Sequence, residues 1–136
     1  MKYEYISCAK NLATRNKVRL NSSRSSMEQE TDDLFYWIMS RLEDSVGNCQ
    51  PAQRFHKVIV ETSKPISDDD YVLLQDGKTS KYCSRYVKGT DFLFVMDTVI
   101  GIFNSIGKTE EYSYHAEYIR HNRSSGEHSI EFLMST

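Results

Sequence analysis

The sequence lacks the short motifs that identify most nucleotide-binding proteins and hydrolases. Its six glycines form neither a P-loop nor a G-x-G-x-x-G run, so a phosphate-binding loop of either type is excluded. No G-x-S-x-G elbow occurs, and no serine, cysteine or threonine is tied to a base by its spacing. The contiguous carboxylates of Asp68, Asp69 and Asp70 cannot easily converge on one ion. We therefore predict no catalytic residue and no cofactor, and a non-enzymatic role is favoured over an enzymatic one.

The cysteines and histidines lack the spacing of a metal site. The three cysteines, Cys8, Cys49 and Cys83, form no C-x-x-C pair, so we expect reduced thiols that pack as small hydrophobes in a cytoplasmic protein. No histidine pair has the i, i+4 spacing of a zinc protease, although His121 and His128 could meet across a hairpin. Because a solvated sheet face accounts for such histidines, we predict no metal site.

Long apolar segments are absent as well. The N-terminus begins Met-Lys-Tyr-Glu-Tyr, without the hydrophobic core of a signal peptide, and the apolar stretch Phe92–Ile106 is interrupted by Asp97, Gly101 and Asn104. We expect a soluble, unexported chain with no membrane partner. With 136 residues, 39% of them hydrophobic, the chain can bury one core without disulfides, so a single domain over residues 1–136 is predicted.

What the sequence does have is a sharp separation of charge. Residues 1–26 carry six basic residues against one acidic residue, a net charge of +5, whereas residues 27–48 carry one basic residue against six acidic ones, a net charge of −5. Such polarity is either neutralised within the protein or offered to a partner. We predict that residues 14–26 form a basic loop, and that the helix dipole stabilises the acidic residues that follow.

The spacing of apolar residues predicts an α+β fold. The predicted elements are a strand at 2–8, a helix at 27–48, strands at 54–62, 71–75 and 82–87, a helix at 91–106 capped by Thr90 or Asp91, and a C-terminal β-hairpin at 110–122 and 127–136. This order favours a single two-layer domain, in which two amphipathic helices cover one face of a mainly antiparallel sheet.

The C-terminal hairpin has a predicted register. A three-residue loop at 124–126, with Gly126 in a left-handed conformation, pairs Arg120 with Ile130 and Tyr118 with Phe132. This pairing gathers the apolar residues of both strands on one face of the sheet.

Three aromatic residues fall outside the apolar faces of the two helices: Tyr36, Trp37 and Phe94. Trp and Tyr concentrate binding energy at interfaces; the alternative is that a second layer, such as the basic loop, covers Trp37. Arg41, one turn after Trp37, could also form a cation–π contact with it. We predict a small binding protein acting through a protein–protein interface, of the inhibitor, immunity or adaptor type. The predicted interface residues are Asp33, Tyr36, Trp37, Arg41, Asp44 and Phe94.

A second hypothesis is a nucleic-acid-binding or nucleotide-binding module. Residues 78–88 interleave four cations with two tyrosines, a combination that suits a surface which follows a nucleic-acid backbone and stacks its bases. The predicted contacts are Arg15, Lys17, Arg19 and Arg24 of the basic N-terminal arm together with Lys78, Lys81, Tyr82, Arg85, Tyr86 and Lys88. Self-association through the edge of the C-terminal hairpin is a further expectation.

Overall fold

A computed structural model describes residues 25–47, 54–77 and 80–136. Its elements, in chain order, are α1 (Ser26–Gly47), β1 (Phe55–Thr62), β2 (Tyr71–Asp76), β3 (Ser80–Lys88), a 3₁₀ turn (Gly89–Asp91), α2 (Phe92–Ile106), β4 (Ser113–Asn122) and β5 (Glu127–Ser135). The predicted strand at 2–8 lies outside the described residues, as does nearly all of the predicted basic loop. The remaining elements form where the sequence predicts them, in an α+β arrangement.

The first helix begins at a capping residue and buries one stripe. The Ser25 hydroxyl accepts the backbone N–H of Glu28 at 3.1 Å, which satisfies one of the free donors of the first turn. Leu34, Ile38 and Leu42 follow at i, i+4 spacing and are fully buried. The predicted amphipathic helix is confirmed.

The second helix is the most apolar element of the fold. Phe92, Val99 and Phe103 are completely buried, and Gly107, with φ of +67°, ends the helix as predicted. The predicted side-chain cap is wrong: Asp91 makes no capping hydrogen bond, and the Thr90 hydroxyl donates to Asp68 instead, at 3.2 Å.

In the part of the chain that the structure describes, one helical stretch, Gly89–Ile106, is long and apolar enough to cross a membrane by length and composition alone. In the fold, Phe92, Val99 and Phe103 of this stretch belong to the hydrophobic core.

The five strands form one antiparallel sheet in the order β3-β2-β1-β5-β4. Both helices contact this sheet, α1 across β1 and β3 and α2 across β4. Inward-pointing residues such as Val58, Val60 and Phe132 are buried against the helices, and they alternate with more exposed ones along β1. The two-layer architecture is therefore confirmed, with β3 and β4 as the outer strands of the described sheet.

The C-terminal hairpin departs from its predicted register. Tyr118 pairs with Ile130 rather than with Phe132, and a four-residue loop at 123–126 replaces the predicted three-residue loop. A four-residue loop alone would turn the side chains to the opposite face of the sheet. A β-bulge between Tyr118 and Arg120 restores the alternation, so the predicted pairing is wrong while the predicted apolar face is correct.

Gly126 closes this hairpin against the loop that follows β1. Its φ is +76°, and its carbonyl accepts the N–H of Ile66 at 2.9 Å. A Cβ atom at position 126 would lie 2.8 Å from the Ile66 nitrogen. Glycine is therefore required here both by conformation and by close backbone approach.

Candidate functional site

The site is organised by Glu30, a completely buried carboxylate near the start of α1. Its Oε1 accepts the backbone N–H groups of Arg85, Tyr86 and Val87 at 2.8, 2.8 and 3.1 Å. Its Oε2 accepts the hydroxyl of Tyr82. A buried charge is unfavourable unless its lone pairs are filled, and these four donors fill them. Glu30 thereby fixes α1 against β3.

The three N–H groups are free to bind Glu30 because β3 leaves its ladder with β2 at this point. The ladder pairs Tyr71 with Lys88 and Leu73 with Cys83. Between these two pairs β3 has four residues, 84–87, whereas β2 has only Val72. The Ser84 hydroxyl occupies part of the gap by accepting the N–H of Val72 at 2.7 Å. Consecutive N–H groups that point the same way form a concavity suited to an anion, and here the anion comes from α1.

Above this anchor, α1 and β3 enclose a groove of about 700 Å³, which we call the α1–β3 groove. Its helix wall consists of Asp32, Asp33, Tyr36 and Trp37, and its strand wall consists of Lys81, Tyr82, Cys83, Ser84 and Arg85. The sequence presents the helix face and the basic segment as alternative binding surfaces. The fold joins them, because the outer strand β3 packs beside α1.

Trp37 belongs partly to the core and partly to the α1–β3 groove. Its indole N–H donates to the Ser80 hydroxyl at 2.9 Å, and its ring lies 5.6 Å from that of Tyr82, tilted by 40°. Strand β3 therefore covers one side of the indole. Tyr36 remains 50% exposed at the rim, so it is the aromatic side chain that the groove presents most openly.

The electrostatics of the groove are mixed. Burial and then the neighbouring Glu30 raise the pKa of Asp33, although the Arg85 guanidinium opposes this rise. Burial and the bond to Glu30 also raise the pKa of Tyr82, which therefore stays a neutral hydroxyl donor. The helix wall thus holds partly desolvated negative charge while the strand wall offers positive charge.

Cys83 is a free thiol, as expected, but it is exposed in the α1–β3 groove rather than packed in the core. Cys8 and Cys49 lie outside the described residues. The expectation that cysteines serve as core hydrophobes is therefore wrong for Cys83. Its outward direction follows from strand alternation, since the buried residue on this part of β3 is Ser84.

Several predicted site residues lie away from the groove. Arg41 and Asp44 form an ion pair with each other at 2.6 Å, further along α1. Lys88 lies over the ring of Tyr71, with its Nζ 4.7 Å from the ring centroid. Tyr86 is exposed on β3 beyond the groove lining. The predicted residues outside the described part of the chain are Arg15, Lys17, Arg19, Arg24 and Lys78.

Phe94 marks a second and smaller cavity. This cavity has a volume of about 170 Å³ and lies between the start of α2 and the hairpin loop. Phe94 is 63% exposed at its rim, with Asp97, Arg123 and His128 also in the lining. Phe94 is thus separated from Tyr36 and Trp37, so the predicted interface residues do not form one surface.

A histidine pair lies beside this second cavity. The Nδ1 atoms of His121 and His128 are 2.9 Å apart, so one ring donates a hydrogen bond and the other accepts it. Tyr118 stacks on His121 with ring centroids 3.9 Å apart, and its hydroxyl donates to Asp97 at 2.6 Å. Burial, followed by the neighbouring His121 and Arg123, lowers the pKa of His128. His128 is therefore a buried, neutral imidazole rather than part of a solvated face.

The outer strand of the hairpin is partly closed by α2. The Asn104 side chain donates to the carbonyl of Ala116 at 3.0 Å and accepts its N–H at 2.7 Å. The N–H of Tyr114 donates to the carbonyl of Gly107 at 2.8 Å. The predicted self-association through this edge stays a prediction, but these bonds already use backbone groups that a second strand would need.

Sequence reasoning missed Glu30, the residue that organises the site. It assigned the acidic residues at the start of α1 to the helix dipole. One indication was available: Glu30 precedes the buried Leu34 by one helical turn, so it borders the apolar stripe. No indication in the sequence links Glu30 to residues 85–87, because that contact depends on an irregular strand.

Within residues 25–47, 54–77 and 80–136, no three His, Cys, Asp or Glu side chains come together as a metal site. Comparison of the chain with protein-family models, with curated proteins and with solved structures finds no match. The function must therefore be argued from the geometry.

Proposed function

We propose that this chain is a small binding protein that acts through a protein–protein interface centred on the α1–β3 groove. The observation that carries the proposal is the composition of one concave surface: a half-exposed Tyr36, the edge of Trp37 and charged residues of both signs. Tyr, Trp and Arg are enriched where protein interfaces concentrate their binding energy, and a polar rim surrounds such centres.

The mixed charge favours a protein partner over a nucleic acid. A surface that follows a phosphate backbone gains its affinity from uncompensated cations. In the groove, Lys81 and Arg85 stand opposite Asp32 and Asp33, and Arg85 already acts electrostatically on Asp33. A protein segment carrying both signs of charge fits such a surface better than a polyanion does.

The proposed location is the cytoplasm. Cys83 is a free thiol at the surface, and exposed free thiols are typical of reducing compartments. The partner proposed here is accordingly a cytoplasmic protein of the same cell.

The test is affinity capture from lysate of the source cells with matched variants. Tyr36→Ala removes the exposed aromatic side chain of the groove, whereas Phe55→Ala removes one of similar exposure at the start of β1. We expect a captured protein that survives nuclease digestion, is lost with Tyr36→Ala and is retained with Phe55→Ala. Capture of the same protein by the wild type and by Tyr36→Ala would contradict the proposal.

A separate measurement addresses the nucleic-acid alternative. Labelled single-stranded oligonucleotides are titrated with wild-type protein and with a variant carrying Lys81→Ala, Arg85→Ala and Tyr86→Ala. We expect weak binding that the triple change leaves unaltered. Tight binding that falls steeply with salt and disappears in the variant would replace the proposed function with the alternative.

A further inference from the structure

We propose that the α1–β3 groove is a two-fold interface in which a second copy of this chain binds, with the acidic wall of each copy against the basic wall of the other. The inference rests on the proposed function, since it takes the groove to be a protein-binding surface. It adds the identity of one partner and the symmetry of the contact.

The arrangement of charge supports this symmetry. The helix wall carries Asp32 and Asp33, and the strand wall carries Lys81 and Arg85. A two-fold axis that runs along the groove places each wall over the opposite wall of the partner, so both charge contacts are attractive and occur twice. An axis across the groove would instead set like charges against each other, so the charges select one orientation.

The individual residues have capacity for these contacts. Lys81 is exposed, and within the described residues it has no carboxylate at salt-bridge distance. Asp33 and Arg85 line the groove together; burial and then Glu30 raise the pKa of Asp33, and Arg85 acts against this rise. Tyr36 is half exposed at the rim, where it can enter the groove of the second copy.

The competing edge of the sheet is less available for self-association. Asn104 and Gly107 already bind backbone groups of Ala116 and Tyr114 on β4. A second copy adding a strand there would have to displace these bonds.

The test is a charge-exchange experiment read by sedimentation equilibrium. The helix-wall variant carries Asp32→Lys and Asp33→Lys, and the strand-wall variant carries Lys81→Glu and Arg85→Glu. Like charges facing each other should weaken self-association of either variant by about 100-fold or more relative to wild type. An equimolar mixture of the two should associate again, because every wall then meets its opposite.

A variant with all four changes and a folding control complete the experiment. A chain with all four changes should form its own dimer, since the sign of both walls is exchanged together. Thermal unfolding confirms that each variant is folded; if a two-site variant is not, the single changes Asp33→Lys and Lys81→Glu replace the pair in the same mixing design.

Two outcomes would overturn the inference: a wild-type chain that is monomeric at the highest concentration it tolerates, or a dimer that both wall variants retain. If the wild type is monomeric while Tyr36→Ala still abolishes capture of a lysate protein, this inference fails and the proposed function stands. If neither self-association nor Tyr36-dependent capture is found, both fail.

Discussion

At the scale of single residues, the fold depends on polar groups placed where the sequence pattern favours apolar ones. Glu30 borders the apolar stripe of α1, yet it binds three backbone N–H groups and a tyrosine hydroxyl. Its contribution is positional as well as energetic, because it holds β3 at the distance from α1 that opens the groove. Buried polar groups of this kind are strongly stabilising only while every partner is present.

Replacing Glu30 should therefore destabilise the fold in a graded way. Glu30→Gln keeps an oxygen for the N–H groups but loses the charge, and we expect a decrease of about 1–3 kcal/mol in the free energy of unfolding. Glu30→Ala leaves the donors unsatisfied and should lower it by about 3–5 kcal/mol. Urea denaturation measures both, with the exposed Glu127→Gln as control. Equal stability of Glu30→Ala and the control would show that the buried network does not stabilise α1 against β3.

His128 should make stability depend on pH. Its pKa is lowered in the folded protein by burial, His121 and Arg123, against the raising effect of Asp97. The unfolded chain therefore binds a proton first, at about pH 6.5. The free energy of unfolding should fall as the pH drops below that value. This decrease is complete once the pH lies below the pKa of His128 in the folded protein.

The measurement compares free energies of unfolding between pH 8 and pH 5, about one and a half units on either side of the reference histidine value. His128→Gln should lose less stability on acidification than the wild type does, because it lacks the imidazole whose pKa is lowered by folding. His115→Gln, at an exposed position, should keep the wild-type dependence. Identical pH profiles for wild type and His128→Gln would contradict the expectation.

At the scale of elements, periodicity predicts the helices and strands but not their irregularities. Apolar spacing locates α1, α2 and the hairpin, because burial of one face is encoded in residue order. The bulge near Ile119 and the longer irregularity of β3 are not encoded in that way. On β3 the buried residues Ser84 and Val87 lie three positions apart, and the polar Ser84 gives no apolar signal by which the break in alternation could be located.

The α2–β4 contact through Asn104 gives a prediction at this scale. Asn104→Ala removes two hydrogen bonds to Ala116 and should lower the free energy of unfolding by about 1–3 kcal/mol. It also leaves backbone groups of an outer strand open to other chains, so light scattering at high concentration should increase. Ser105→Ala is the control, since the Ser105 hydroxyl donates to the carbonyl of Ile102 within the same helix. A variant as stable and as soluble as this control would contradict the prediction.

At the scale of the whole molecule, topology decides which residues form the candidate site. Sequence analysis identifies the aromatic residues of α1 and the basic segment of β3 separately, because they are more than 40 residues apart, as the Trp37–Ser80 bond shows. The two segments form one site because β3 is the outer strand and lies beside α1. This position follows from strand order rather than from composition. For the same reason, the sequence predicts Phe94 and Tyr36 in one interface, whereas in the fold they line different cavities.

The molecule as a whole should unfold in one step. Buried residues of both helices and of all five strands form one hydrophobic cluster, in which Leu34 and Phe103 belong to the same core. Small domains with a single core usually unfold without populated intermediates. Trp37, the only tryptophan, reports on the α1–β3 half of the molecule, whereas far-ultraviolet circular dichroism reports on all elements. The two denaturation curves should therefore coincide in midpoint and slope. A fluorescence transition at lower urea than the circular dichroism transition would show that the α1–β3 half opens independently, and the groove would then be a separately unfolding part of the protein.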